Sequence, residues 1–280
     1  MSTNLPDAGK TVIVGGIETN YHDEGSGRPL FLLHGSGPGV TAWQNWSGVL
    51  PRLAEKYRVI APDIVGFGLT KIPDGHEPKI KSWLAHVAGL IDALDLSDVT
   101  LVGNSFGGAI SLAMMLRHSE RVQSLVLMGT PAGEFQQTQG LGDSYSFELS
   151  REKMAEMMAH FPYDPAIVTD DMINARFASA AVNSGIETIR KLQPKPSDDG
   201  SPATVRGVPL EQLDKIEAPT LILHGREDRV IPLEVAVRMH RHLKNSELHI
   251  FGQCGHWVQI EKADAFVQQL ENFLEGRAKL

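Results

Sequence analysis

The sequence is short of three things. It has one cysteine, Cys254. No internal disulfide can form and no cysteine-based zinc site can be built, so a reducing, cytoplasmic setting is expected, with no metal or other cofactor. It has no long hydrophobic run. The longest, residues 109–116, is interrupted by Ser111 and falls well below the roughly 20 residues of a membrane span. Met1 to Val14 lack a basic stretch followed by a long apolar one, so neither a secretion signal nor a membrane partner is expected. The third shortage is positive charge. Lysine and arginine number 26 against 34 acidic residues, a net charge of −8. Broad nucleic-acid binding needs a basic footprint and is not expected.

What is present is ordinary for a globular protein: 280 residues, 42% hydrophobic and 21% charged. A chain of this length buries about three quarters of its unfolded surface and needs no staples. Six short apolar runs, at 30–33, 58–61, 99–102, 124–128, 220–223 and 247–251, are closed by glycine or proline within two residues. Such runs mark strands buried on both faces. Helical spacing separates them: Ile80, Trp83, Leu84, Val87, Ile91 and Leu94 share one face, and 109–116, 233–243 and 263–274 are further helical stretches. This alternation predicts an α/β fold with a mostly parallel sheet flanked by helices. Residues 11–21, with Gly15-Gly16 at the centre, read as an antiparallel hairpin at the sheet edge.

The alternation stops after the sixth core strand. Residues 151–160 and 170–179 read as helices, and the turn-rich stretch 193–202 follows. The expectation is a helical cap at 133–213 inserted into a core made of 1–132 and 214–280. A string of surface helices without a separate role is the plainer alternative.

Gly103-Asn104-Ser105-Phe106-Gly107 matches G-x-S-x-G between a strand and a helix. A serine nucleophile needs this sharp turn, with small residues two before and two after. It also needs a base and an acid, in the order serine, acid, histidine. Asp228 follows the strand at 220–223, with Glu227 as its rival. His256 follows the strand at 247–251. All three candidates follow strands, where sites form in open α/β sheets. His118, His240, His242 and His249 read as surface or core residues, and His34 as structural. Cys254 beside His256 admits a cysteine nucleophile, but a buried packing residue is the simpler reading because Ser105 already has the turn. The N–H groups of Phe106 and of Ser36, in His34-Gly35-Ser36-Gly37-Pro38-Gly39, are the candidate oxyanion donors.

Together with Trp43-Gln44-Asn45, residues 62–68 (PDIVGFG), His224–Asp228 (HGRED) and Cys254–Trp257 (CGHW), these motifs resemble the α/β-hydrolases. Within them they resemble the meta-cleavage product hydrolases, over essentially the whole chain. The resemblance implies hydrolysis of the C5–C6 bond of 2-hydroxy-6-oxohexa-2,4-dienoates, giving 2-hydroxypenta-2,4-dienoate and a carboxylic acid after ketonisation of the dienol. Ser105 is then the nucleophile, His256 the base and Asp228 its partner. The dienoate partner is anionic. By family position Arg176 receives its carboxylate, with Gly35, Gly37, Asn45, Asn104 and Trp257 around it; otherwise Arg176 is a solvated cap charge. Val230, Ile231, Met157 and Phe161 are candidate walls for the C6 substituent. The resemblance also implies a homo-oligomer. A carboxylesterase or lipase with the same triad, a perhydrolase, and a non-catalytic ligand-binding module on the same fold are the competing readings.

Overall fold

A computed structural model describes residues 8–73, 77, 79–183, 185–196 and 200–277. Residues 1–7 of the expected signal-free start and 197–199 of the turn-rich stretch lie outside the described residues.

Ten strands form among the described residues: β1 (Lys10–Val14), β2 (Ile17–Glu24), β3 (Pro29–Leu33), β4 (Arg58–Pro62), β5 (Val99–Asn104), β6 (Val122–Met128), β7 (Glu134–Gln136), β8 (Thr204–Arg206), β9 (Thr220–Gly225) and β10 (Ser246–Phe251). Eight make one sheet in the order β1-β2-β4-β3-β5-β6-β9-β10. β1 pairs antiparallel with β2, and β2 with β4; every other pairing in this sheet is parallel. The edge hairpin turns on Gly15 (φ 57°) and Gly16 (φ 84°). A two-residue hairpin turn with both residues at positive φ matches the twist of the strands it joins.

Side chains alternate across the central strands and so build two cores. Phe31, Leu33, Leu101, Leu125 and Leu127 face one side of the sheet, while Leu30, Leu32, Val102, Val126 and Leu223 face the other. The second side is covered by α1 (Ala42–Trp46), α2 (Leu50–Ala54), α11 (Val258–Glu261) and α12 (Ala263–Arg277), through Trp46, Leu53, Val258, Phe266 and Leu270. The first is covered by α3 (Ile80–Ala93), α4 (Phe106–Arg117) and α10 (Leu233–His242), through Trp83, Ile91, Ile110, Leu112 and Val235. α/β layering with a mostly parallel sheet is therefore the architecture, as the alternation predicted.

After β6 the chain leaves the sheet. It forms α5 (Gln139–Tyr145), α6 (Arg151–Met158), α7 (Asp170–Val182), α8 (Gly185–Lys191) and α9 (Leu210–Leu213) before β9. Ser150 and Thr169 cap α6 and α7 by accepting from Lys153 N and Met172 N, each satisfying a donor the helix leaves orphaned. Met154, Met157, Phe161, Ile173 and Ala180 of this segment join the core on the α3/α4 side. The segment is less helical than its sequence suggested: β7 and β8 pair antiparallel. No described helix is long and apolar enough to cross a membrane.

Candidate active site

Ser105 stands between the end of β5 and the first turn of α4, at φ 52° and ψ −117°. A non-glycine residue held there stores roughly 1–3 kcal/mol and persists only where its surroundings fix it. Ser105 N donates to the Met128 carbonyl at 2.7 Å, and the Ser105 carbonyl accepts from Ala109 N at 3.1 Å. The motif glycines let the turn close. A Cβ on Gly107 would stand 2.1 Å from the Leu33 carbonyl oxygen, and one on Gly103 2.5 Å from Gly108 Cα. The turn leaves the first N–H groups of α4, that of Phe106 included, without helical acceptors.

Asp228 and His256 lie on the loops leaving β9 and β10. His256 Nδ1 lies 2.8 Å from Asp228 Oδ2, and the aspartate side chain is wholly buried. Its other oxygen accepts from the N–H groups of Val230 (2.8 Å) and Ile231 (2.9 Å). Burial acts to raise the Asp228 pKa, but the His256 imidazole and these hydrogen bonds outweigh it and hold the carboxyl below its ordinary value. Because the carboxylate accepts, His256 Nδ1 carries the proton and Nε2 is free to receive one. Gly129, at φ 51°, makes room for the pair: a Cβ there would lie 2.7 Å from His256 Nδ1 and 3.2 Å from Asp228 Oδ2. Glu227, the rival acid, is engaged elsewhere, accepting from Cys254 N (3.1 Å) and Arg226 Nε (2.7 Å). Cys254 is fully buried, and burial pushes its thiol pKa up, the reverse of what activates a cysteine. A residue the sequence did not single out, His224, joins the cluster. Its Nε2 is 3.0 Å from the Ile231 carbonyl and 3.5 Å from Asp228 Oδ2.

Ser105, His256, Gly35, Ser36, Asn45, Asn104, Arg176 and Trp257 line one small recess of about 20 Å³, room for about one water. Arg176, from α7, is buried rather than solvated. Its Nε donates to the Pro38 carbonyl at 3.0 Å, and its guanidinium lies over Phe161, 5.6 Å from the ring centroid. Burial lowers its pKa to about 10, so it stays charged at neutral pH. Arg176 crosses Gly39 and Gly37, and both hold positive φ (72° and 147°). A Cβ would meet its Nη2 at 2.9 Å at Gly37 and its carbonyl oxygen at 2.0 Å at Gly39. Gly37 thus seats the arginine rather than lining the recess. Asn45 Nδ2 is buried and has no hydrogen-bond partner among the described residues, a donor left for whatever enters. Phe161 ties the inserted segment to His256. Its ring stacks on Trp257 and His256, and its carbonyl accepts from His256 N at 2.7 Å.

A second space, a cleft of about 920 Å³, meets the recess at Ser36, Ser105 and Leu141. Trp83, Phe106, Ala109, Tyr145 and Ile231 are among the residues that line it. Its lining includes Lys79, Arg117, Arg206 and Lys215 and, among the described residues, no carboxylate. Of the four candidate walls, Val230 and Phe161 line the recess and Ile231 the cleft. Met157 faces neither; it borders a separate surface pocket with Gln139 and His160. Helical periodicity shows that Met157 is inward-facing but not which cavity that face meets.

The family model of the alpha/beta hydrolase fold matches residues 28–263. The 2-hydroxy-6-oxo-2,4-heptadienoate hydrolase of Pseudomonas putida is 46% identical over 268 residues, covering 96% of each chain. The 2-hydroxymuconate semialdehyde hydrolase of a Pseudomonas species is 41% identical over 278 residues, covering 97% of this chain and 95% of its own. Among solved structures, a meta-cleavage product hydrolase variant from Pseudomonas fluorescens, complexed with acetates, superposes with a TM-score of 0.90 at 39% identity, covering 97% of this chain and 99% of that one. With a strained serine turn, a buried His–Asp pair and an arginine-bearing recess on one sheet edge, this chain belongs to the α/β-hydrolase fold family and, within it, to the meta-cleavage product hydrolases.

Proposed function

We propose that the protein hydrolyses the C5–C6 bond of 2-hydroxy-6-oxohexa-2,4-dienoates, releasing 2-hydroxypenta-2,4-dienoate and a carboxylic acid. The observation that carries this reading is a buried, charged Arg176 in the same recess as Ser105 and His256. A chain of net charge −8 does not attract an anion globally, so recognition must be local. A buried guanidinium pairs with a carboxylate bidentately. The dienoate end occupies the recess against Arg176, Asn45 and Asn104, and the C6 substituent occupies the adjoining cleft beside Trp83, Phe106 and Ile231. The recess must widen to admit the dienoate, since its free space is about one water. The segment 133–213 acts as a cap that supplies Arg176 and Phe161.

In the reaction His256 moves the enol proton to C5, giving a 2,6-dioxo compound. Ser105 Oγ then adds to C6 as His256 Nε2 takes its proton, and the N–H groups of Ser36 and Phe106 hold the oxyanion. Collapse breaks C5–C6. The electron pair left on C5 is conjugated through C3=C4 to the C2 carbonyl and ends on that oxygen, which takes back the proton held by His256 to become the 2-hydroxyl of the product; this is why ketonisation must come first. Water hydrolyses the acyl-serine. Asp228 keeps the imidazole in the tautomer these transfers need.

A cytoplasmic homo-oligomer, with the edge hairpin available for assembly, completes the proposal. The test is a spectrophotometric panel of dienoates with methyl, isopropyl, phenyl and steroid-derived C6 substituents. Loss of visible absorbance is expected for at least one. Turnover of simple esters with none of the dienoates overturns the reading.

A further inference from the structure

His34 takes no part in the reaction just described, yet it is fully buried beside it. Its two ring nitrogens have different partners. Ile64 N donates to Nε2 at 2.9 Å, so Nε2 is an acceptor and carries no proton. The proton is therefore on Nδ1, which lies 2.6 Å from the Gly35 carbonyl oxygen and donates to it. Burial supports this neutral form, lowering the His34 pKa to about 4.

The gripped carbonyl belongs to the Gly35–Ser36 peptide. That peptide is planar and trans, so its C=O and N–H point in opposite directions. Holding the Gly35 oxygen on the His34 side turns the Ser36 N–H the other way. Gly35 passes directly over the nucleophile, where a Cβ would lie 3.4 Å from Ser105 Cβ, and Ser36 lines both spaces that meet at Ser105.

The far end of the chain of contacts is fixed. Ile64 follows Asp63, whose carboxylate accepts from Ala42 N (2.7 Å), Asn20 Nδ2 (2.8 Å) and Leu69 N (2.8 Å). The His34 ring also packs edge-on against Phe67. We propose that His34 is a positioning residue that transmits the rigidity of the Asp63–Ile64 loop to the Gly35–Ser36 peptide and so aims the Ser36 N–H at the oxyanion. This rests on the assignment of Ser36 as an oxyanion donor.

Two amide variants separate the halves of the contact. In His34→Asn the side-chain amide N takes the place of Nδ1 and can still donate to the Gly35 carbonyl, while the Ile64 N–H loses its acceptor. In His34→Gln the longer amide can still accept from Ile64 N, while the donor to Gly35 is lost. Both are assayed with a dienoate and with p-nitrophenyl acetate, and dienoate affinity is measured in a Ser105→Ala background. The expected result is a fall of about 10- to 100-fold in kcat for His34→Gln on both substrates, with dienoate affinity within twofold; removing an oxyanion donor outright costs about 10²–10³. His34→Asn is expected to recover most of that loss. Equal falls in both variants, or no fall in His34→Gln, overturn the proposal. If neither variant folds, ¹⁵N–¹H correlation of the unmodified protein decides: a protonated Nδ1 and bare Nε2 on His34 support it, and the opposite tautomer overturns it. Ester turnover keeps this test separate from the C–C reading, which fails only if no dienoate is cleaved.

Discussion

Gly129→Ala is a small perturbation aimed at the His256–Asp228 pair from outside it. The added Cβ would lie 2.7 Å from His256 Nδ1 and 2.8 Å from Cε1, where ordinary contact begins at 3.4 Å. The imidazole must then retreat by about 0.7 Å. Nδ1 is held to Asp228 at 2.8 Å, so the retreat stretches or misdirects that bond. A hydrogen bond to a charged group is worth about 1.5–3 kcal/mol, and 1.36 kcal/mol is tenfold in rate. The expected loss in kcat/KM is about 10- to 100-fold, similar to the cost of a misplacement near 1 Å. Alanine at positive φ carries its own penalty of roughly 1–2 kcal/mol, and Gly15→Ala isolates it. Gly15 has nearly the same φ, 57° against 51°, and a Cβ there meets nothing within 4 Å. Both variants should lose a few degrees of Tm, but only Gly129→Ala should lose activity, measured as decay of dienoate absorbance. If Gly129→Ala stays within threefold of the parent, or if Gly15→Ala is equally slow, the steric argument is wrong.

Three further outcomes are expected. Ser105→Ala should abolish C–C cleavage while dienoate binding remains visible as a spectral change; full cleavage would remove Ser105 from the mechanism. Arg176→Gln should lower kcat/KM for a dienoate by about 10²- to 10⁴-fold, the scale of a buried charged pair with one partner removed, and leave a neutral ester far less affected; equal losses would make Arg176 structural. Stability should fall between pH 6.5 and 4. His34 and His86 are buried with pKa values lowered to about 4, His86 lying 2.7 Å from Thr19 Oγ1. The unfolded chain binds their protons first, so their contribution is present above the unfolded value near 6.5 and is lost as pH drops toward 4. Urea midpoints should be lower at pH 5 than at pH 7, and identical midpoints would show that these histidines are not buried neutral.

The sheet was legible because its strands are buried on both faces and therefore read as unbroken apolar runs. The order of Ser105, Asp228 and His256 was legible because each follows a strand at the same sheet edge. The paired β7 and β8 were not: three residues each are too few to show a period. Arg176 was ambiguous for a different reason. Its surroundings come from Pro38, Phe161 and Gly39, which are distant in sequence, and burial is a property of the folded neighbourhood rather than of the residue.

By itself the sequence determined the strand–helix alternation, the serine turn and the glycines that turn requires, because backbone preference and side-chain period are local. Tertiary structure decided which acid meets His256, since Asp228 and Glu227 are adjacent in sequence and only the loop geometry sends one to the imidazole and the other to Cys254 N. It also decided that Gly129 must be bare, that Arg176 is buried, and that His34 grips the peptide of Ser36. Each of those is a distance between segments that no local pattern encodes.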